Sequence, residues 1–203
     1  MQQTSKFWDR VAYKSDGQLG KLTQKLVELS LKHISEDSII LDFGCGNGVL
    51  ANAFAPKVKK VIGIDISKKM IEAAVHLSKG KKRKNTVFYT MDLLNSHFRE
   101  ESIDVVLAFN VLHYIQDMDA YLKKMNQLLK KNGLLICSTA CMKEKRSLIR
   151  LFMSLSSKIG LIPPNKWYTA NTLEMLIENA KFTSIDRQLI SNLPEYFMVF
   201  KKA

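Results

Sequence analysis

Apolar residues fall into two kinds of segment that alternate along the chain. Five short runs are mostly apolar, which is typical of strands buried on both faces of a parallel sheet. These runs are 39–41, 61–64, 86–90, 103–109 and 134–138. Between them apolar residues recur every three or four positions, as in Ile71, Ala74 and Val75, and this spacing predicts amphipathic helices. The alternation predicts an α/β fold with a doubly wound, predominantly parallel sheet.

The two ends of the chain carry different patterns. Ahead of the first strand, Phe7 and Val11 share a helical face and a leucine repeat follows over 19–29, so two N-terminal helices are predicted. At the other end, the strand-like runs 184–189 and 196–200 are joined by a short link. A link of this length predicts an antiparallel hairpin.

A long connection precedes the last helix. About 30 residues follow the fifth strand, which is longer than a typical connection between elements. Within it Leu148, Phe152 and Leu155 repeat at helical spacing, so we expect part of it to form a helix. Asn171 or Thr172 is the expected N-cap of the last helix.

Composition bounds the kind of protein. The 203 residues suffice for one domain, and no repeat or linker divides them. No run of 18 apolar residues predicts a membrane span and the N-terminus lacks the apolar core of a secretory signal, so a cytoplasmic location is expected. Cys45, Cys137 and Cys141 form no C-x-x-C pair and are expected to be reduced core thiols. The four histidines lack metal-ligand spacing, so no metal site is predicted.

A glycine-rich turn follows the first strand. Gly44, Gly46 and Gly48 alternate directly after that strand, and Gly48 leads into a helical pattern. Only glycine lets the backbone turn sharply here and lie against a ligand without an intervening side chain. The turn is therefore expected to hold a nucleoside-type cofactor.

Two acids near the turn narrow the choice of cofactor. Asp65 ends the second strand 21 residues after Gly44, about the spacing at which an acid meets a ribose. Asp42 directly precedes the turn, where it would repel a pyrophosphate but attract an ammonium group. A cofactor with a ribose, an adenine and an amino-acid tail fits this arrangement.

These residues resemble the motifs of the class I S-adenosylmethionine-dependent methyltransferases, in particular the small-molecule, type 11/12-like branch. The resemblance covers most of the chain and implies a seven-stranded Rossmann-like sheet that closes in an antiparallel hairpin. The segments that carry it are 41–48, 63–67, 91–92, 109–115 and 129–136.

The resemblance implies which residues hold S-adenosylmethionine. Asp42 and the glycine turn would hold the methionine tail, Asp65 the ribose and Asp92 the adenine amine. The backbone at Phe109 and Asn110 would lie near the sulfonium. The complete set of expected cofactor contacts is Asp42, Gly44, Cys45, Gly46, Gly48, Asp65, Ile66, Met91, Asp92, Leu93, Phe109 and Asn110.

The resemblance also divides the single domain, 1–203, into four parts. Residues 1–35 would form an N-terminal helical cap and 36–139 the cofactor-binding core. Residues 140–170 would form a substrate lid, and 171–203 the closing helix and hairpin.

Candidate catalytic groups lie near the carboxyl ends of the strands. His113 could remove a proton from the nucleophile, because histidine titrates near neutrality, or it could simply pack at the start of a helix. Tyr13 and Tyr168 are further candidates, and Trp8 could reach the mouth of the site. Positioning can supply much of the catalysis, because the leaving group of a sulfonium is neutral and already activated.

Three functions remain open. The favoured one is methyl transfer to a small, partly apolar acceptor by in-line displacement. The net charge of +12 supports a tRNA or rRNA methyltransferase instead, although the basic clusters are expected on the sheet edge away from the site and 110–113 lacks the base-methylating Asn-Pro-Pro motif. The third is a noncatalytic cofactor-binding subunit or sensor. The sequence does not indicate the acceptor or the oligomeric state.

Overall fold

The computed structural model describes residues 2–12, 20–144, 155–157, 162–191 and 194–203. Helices and strands alternate through most of this part of the chain. The helices are α1 (Gln2–Val11), α2 (Lys21–Leu31), α3 (Val49–Phe54), α4 (Lys68–Gly80), α5 (Met118–Leu128) and α6 (Ala170–Asn179). The strands are β1 (Ile39–Phe43), β2 (Lys60–Asp65), β3 (Thr86–Thr90), β4 (Ile103–Phe109), β5 (Leu129–Ala140), β6 (Phe182–Leu189) and β7 (Glu195–Lys202).

The strands form one seven-stranded sheet in the order β3-β2-β1-β4-β5-β7-β6. The first five strands pair in parallel, and β7 pairs antiparallel with both β5 and β6. The predicted fold class, a mostly parallel sheet closed by an antiparallel hairpin, is therefore confirmed. The strand order reverses between β1 and β4, and ligands of such sheets bind at this reversal, beyond the carboxyl ends of the strands.

The sheet is buried on both faces because successive side chains of a strand point in opposite directions. Leu41 and Val106 pack on one face in a core that includes residues of α5 and α6. Ile40 and Leu107 face the other way and pack with Phe54 and residues of α2. This two-sided burial explains why the central strands are almost wholly apolar.

Two local predictions were wrong. The N-cap of α6 is Thr169, whose hydroxyl accepts a hydrogen bond from Thr172 N, rather than Asn171 or Thr172. The run Lys-Lys-Asn-Gly at 130–133 is typical of the C-terminal end of a helix and predicts that α5 ends there. It does not, because the chain is already extended at Leu129 and pairs there with Ile103. Residues 130–133 belong to strand β5, where its register with β4 shifts, and Asn132 has a φ of 64°.

The expectations for the cysteines, the N-terminal helices and the long connection after β5 are tested only where the structure describes the residues concerned. Cys45, Cys137 and Cys141 all lie in the described part of the chain, are buried and form no disulfide with one another. Helix α1 bears Phe7 and Val11 as expected, whereas Tyr13, Leu148 and Phe152 lie outside the described residues. None of the helices in the described ranges is both long and apolar enough to cross a bilayer.

Candidate cofactor site

A cavity of about 530 Å³ opens at the carboxyl ends of the central strands, where the strand order reverses. Its size is within the usual range of small-ligand sites. Its wall is largely apolar, with three carboxylates among its residues. The lining residues are Trp8, Phe43, Gly44, Gly46, Ile64, Asp65, Ile66, Met70, Met91, Asp92, Phe109, Asn110, Val111, Tyr114, Ile115, Gln116, Asp117 and Tyr121.

The glycine turn forms the floor of the cavity. Gly44, Gly46 and Gly48 have φ values of 73°, 52° and 75°, in the left-handed region that favours glycine. The backbone N–H groups of Gly44 and Cys45 both donate to Ile64 O, at 2.9 and 3.0 Å. The turn is therefore attached to the end of β2.

The glycines meet different surroundings. A Cβ atom on Gly48 would lie 2.7 Å from Ala74 Cβ, so helix α4 packs directly on the backbone there. At Gly46 the nearest atom to such a Cβ would be Met70 Sδ, 4.0 Å away. The backbone at Gly46 is thus bare and faces the cavity, which leaves room for a ligand to approach closely.

Asp65 holds the turn and faces the cavity. Its Oδ2 accepts a hydrogen bond from Gly46 N at 3.0 Å, and its Oδ1 accepts one from Ser67 N at 2.8 Å. Burial raises the pKa of Asp65, and these backbone hydrogen bonds oppose the rise. Each carboxylate oxygen keeps one further lone pair that could accept from a ligand hydroxyl.

Asp42 lies behind the turn rather than on the cavity wall. It is 2% exposed, and its Oδ2 has no hydrogen-bond partner among the described residues. Burial, with a further contribution from the nearby charge of Asp65, raises the pKa of Asp42 to about 7. An unpartnered buried carboxylate beside bare backbone fits a ligand that brings a positive charge, such as the ammonium group of an amino-acid tail.

Asp92 and Tyr121 form the opposite side of the cavity. Asp92 Oδ1 accepts from Leu94 N at 2.8 Å, and its Oδ2 accepts from Tyr121 Oη at 2.6 Å. Burial and this bond raise the pKa of Tyr121. Sequence reasoning missed Tyr121, although its position beside the inward-facing Leu122 on α5 was an available signal.

Helix α1 covers part of the mouth. Trp8 lines the cavity and meets the ring of Tyr114 edge to face, with centroids 5.2 Å apart. Asp9 Oδ1 accepts hydrogen bonds from Ser67 Oγ at 2.6 Å and from Lys69 N at 3.2 Å. Helix α1 is therefore attached to Ser67, whose backbone N–H also donates to Asp65.

The structure separates the expected site residues into two groups. The expected contacts that line the cavity are Gly44, Gly46, Asp65, Ile66, Met91, Asp92, Phe109 and Asn110. Those that lie behind its wall are Asp42, Cys45, Gly48 and Leu93. The expected catalytic residue Tyr13 lies outside the described residues.

His113 and Tyr168 do not line the cavity. Burial lowers the pKa of His113 to about 4, and its Nδ1 has no partner among the described residues. Its ring packs on Tyr114 with centroids 4.1 Å apart, so it supports a wall residue. Tyr168 is 7% exposed, and burial raises its pKa. The described residues contain no group of three His, Cys, Asp or Glu side chains placed to hold a metal ion.

Comparisons with known proteins find methyltransferases among the proteins that this chain is similar to. Residues 34–189 match the model of a family described as a methyltransferase domain. The ubiquinone biosynthesis O-methyltransferase of Pelagibacter ubique (strain HTCC1062) is 34% identical over 101 residues, which cover 49% of this chain and 41% of that protein. Its namesake from Cereibacter sphaeroides (strain ATCC 17029 / ATH 2.4.9) is 30% identical over 159 residues, or 73% of this chain and 62% of that protein. The matches thus span less than two thirds of these relatives.

A solved structure extends the likeness in fold to nearly the whole chain. A chain from the complex between the Haloferax volcanii Trm112 methyltransferase activator and a methyltransferase superposes with a TM-score of 0.81. The superposition covers 98% of this chain and 97% of that one at 14% sequence identity. At this identity the likeness shows the fold alone.

The buried Asp42 predicts how stability depends on pH without ligand. An unfolded aspartate ionises near pH 3.8, whereas folded Asp42 ionises near 7, so the free energy of unfolding should fall as pH rises between these values. Asp42→Asn removes this loss because asparagine does not ionise. As the pH rises from 4 to 7, the free energy of unfolding of the variant should therefore increase by about 2 to 4 kcal/mol relative to that of the unaltered protein. Urea unfolding at one-unit pH intervals measures the difference.

Asp37→Asn is the matched control, because Asp37 is an exposed acid just before β1. The difference in the free energy of unfolding between Asp37→Asn and the unaltered protein should be the same at every pH. Parallel pH curves for Asp42→Asn and the unaltered protein would contradict the assignment of a raised pKa to Asp42.

Proposed function

Because the chain belongs to the methyltransferase-domain family, we propose that it transfers a methyl group from S-adenosylmethionine to a small, partly apolar acceptor. The observation that carries the proposal is the unpartnered, buried carboxylate of Asp42 beside a bare glycine turn. The family supplies the reaction class, and the site's geometry suits a cofactor that has both a ribose and a cationic tail.

The proposed cofactor contacts follow from the position of each group. The backbone at Gly46 would contact the amino-acid tail, and the carboxylate of Asp42 directly behind the turn would attract the ammonium group, because Asp42 has no counter-charge among the described residues. Asp65 would accept from the ribose hydroxyls with its remaining lone pairs. Asp92, oriented by Tyr121 Oη, would accept from the adenine amine. When bound, S-adenosylmethionine would supply an activated methyl group: the acceptor's nucleophile would bond to the methyl carbon as the carbon–sulfur bond in line with it breaks, and neutral S-adenosylhomocysteine would leave.

The chain's own part in the transfer would be positioning and exclusion of water. Val111, Tyr114 and Ile115 line the cavity directly after Asn110, and Trp8 closes over them from α1. Such a wall would orient an apolar acceptor and keep water from competing with it. Tyr114 is the polar member of this wall, and its hydroxyl is a candidate contact for the acceptor.

Charge supports a small acceptor over a nucleic acid. Among the described lining residues there are three aspartates and no lysine, arginine or histidine. The basic loop 79–84 precedes β3, on the sheet edge opposite the cavity, and Lys130 is paired with Asp104 at 2.7 Å. A polyanion would meet repulsion at the cavity. The relatives are named O-methyltransferases, which supports a hydroxyl group as the acceptor.

Two cofactor fragments test the proposed contacts. S-adenosylhomocysteine has the amino-acid tail, whereas 5′-methylthioadenosine keeps the adenine, the ribose and a thioether but lacks that tail. Asp42→Asn should weaken S-adenosylhomocysteine about 10-fold or more and leave 5′-methylthioadenosine unchanged, because it removes only the charge that faces the ammonium. Asp65→Asn should weaken both, because both carry the ribose. Calorimetry measures the affinities, with Asp37→Asn as the unaffected control.

The acceptor class is tested by transfer of a labelled methyl group. With methyl-labelled S-adenosylmethionine, we expect label in a small-metabolite fraction rather than in total RNA, and no label with Asp65→Asn. Label in RNA that is lost with Lys143→Glu, but kept with Lys82→Glu on the opposite edge, would instead establish the RNA alternative. Binding of cofactor without label in either fraction would favour a sensor.

His113 is proposed to affect turnover rather than cofactor affinity. Its pKa of about 4 leaves the ring neutral at pH 7, so any dependence of turnover on its ionisation should fall near pH 4 rather than near 6.5. Its effect would be exerted through Tyr114, on whose ring it packs, so His113→Gln should lower kcat about 10-fold and leave the affinity for S-adenosylhomocysteine unchanged. Assays with the labelled fraction measure kcat, and calorimetry measures the affinity for S-adenosylhomocysteine. Full activity, with the exposed His76→Gln as control, would make His113 a packing residue.

A further inference from the structure

A buried polar cluster joins three neighbouring strands behind the cavity. Glu195 opens β7, and its Oε1 accepts hydrogen bonds from Ser138 Oγ on β5 at 2.7 Å and from Asn110 Nδ2, directly after β4, at 3.3 Å. Ser138 is fully buried and Glu195 is 7% exposed. The ion pairs found among the described residues do not include Glu195. A buried carboxylate without a cationic partner is costly, so its position requires an explanation.

Asn110 is the member of this cluster that reaches the cavity. It is exposed and lines the wall, and its φ of 53° lies in the left-handed region, which asparagine tolerates better than most residues. Its N–H donates to Ser138 O at 2.8 Å and its side-chain amide donates to Glu195. Two hydrogen bonds thus hold Asn110 in place. Glu195, which does not line the cavity, helps to set the direction of Asn110.

The carboxylate also has an electrostatic consequence. The side-chain donors Ser138 Oγ and Asn110 Nδ2 both point at Oε1 of Glu195 and are neutral, so they do not compensate its charge. Charges act over several ångströms in a partly buried setting, because the effective dielectric constant there is well below that of water. Because Asn110 Nδ2 donates to this carboxylate, the charge polarises the Asn110 amide on the cavity wall. A sulfonium near Phe109 and Asn110 would be stabilised through this amide, whereas the neutral thioether of the demethylated product would not.

We propose that Glu195 is a positioning residue that, through Asn110, favours the sulfonium form of the cofactor over its demethylated product. The inference rests on the proposed function, because it requires the transferred methyl group to lie at the Asn110 end of the cavity. It assigns to the last strand a part in cofactor selection and in the release of product.

The test compares the binding of three probes by calorimetry: S-adenosylmethionine, S-adenosylhomocysteine and adenosine. Glu195→Gln keeps the oxygen that accepts both hydrogen bonds and removes the charge. It should weaken S-adenosylmethionine about 3- to 10-fold, S-adenosylhomocysteine less than 2-fold, and adenosine not at all. Glu178→Gln, at an exposed position near the C-terminal end of α6, makes the same charge change and should leave all three affinities unchanged.

A second variant tests the route through Asn110 without altering β7. Asn110→Gly accepts the left-handed backbone and removes the amide that links the cavity to Glu195. It should lower the preference for S-adenosylmethionine, and adding Glu195→Gln should then change the preference little further. A double variant whose two effects simply add would overturn the route through Asn110.

The remaining outcomes separate this inference from the proposed function. Equal weakening of all three probes by Glu195→Gln would indicate a general structural role and overturn the inference. An unchanged ratio of the first two affinities would overturn it as well. If the unaltered protein bound neither S-adenosylmethionine nor S-adenosylhomocysteine, the proposed function would fail first, and the inference would fail with it.

Discussion

The close packing of two neighbouring segments on the bare backbone of the glycine turn after β1 is the constraint on which the rest of the structure depends. A Cβ atom on Gly44 would lie 2.7 Å from Val111 Cγ2, and one on Gly48 would lie 2.7 Å from Ala74 Cβ. The segment after β4 and the helix after β2 therefore pack against the same turn. Because both walls of the cavity touch one short piece of backbone, a change at the turn would displace both of them.

The buried acids make the electrostatic free energy of the ligand-free site unfavourable. Burial raises the pKa of both Asp42 and Asp65, and the nearby charge of Asp65 raises the pKa of Asp42 further. A cationic ligand would offset this cost at the site itself, although the chain as a whole carries a net charge of +12. Local charge and overall charge thus have opposite signs, and the local charge is the better guide to the ligand. Binding sites commonly lower the stability of the ligand-free protein in this way.

Ser67 connects the cofactor side of the cavity to its cover. Its N–H donates to Asp65, its hydroxyl donates to Asp9 on α1, and the same hydroxyl oxygen accepts from Met70 N as the N-cap of α4. The bond from Ser67 lowers the pKa of Asp9, which keeps this carboxylate ionised as an acceptor. A ligand that repositions Asp65 would therefore also act on the helix that carries Trp8. This arrangement gives the N-terminal cap a physical means of responding to the occupant of the cavity.

The sequence by itself determined the strands, the sheet class and the glycine turn, because these depend on local patterns: the apolar runs, the alternating glycines and the spacing from Gly44 to Asp65. The cap of α4 is local as well, because Ser67 directly precedes the helical pattern and its hydroxyl accepts from Met70 N only three residues away. Only the tertiary structure brought Tyr121 to Asp92, and Glu195 to Asn110, since these partners are 29 and 85 residues apart and a single sequence does not show which distant polar groups meet. It also decided that His113 packs behind the wall, because burial depends on the whole packed core rather than on neighbours in the chain.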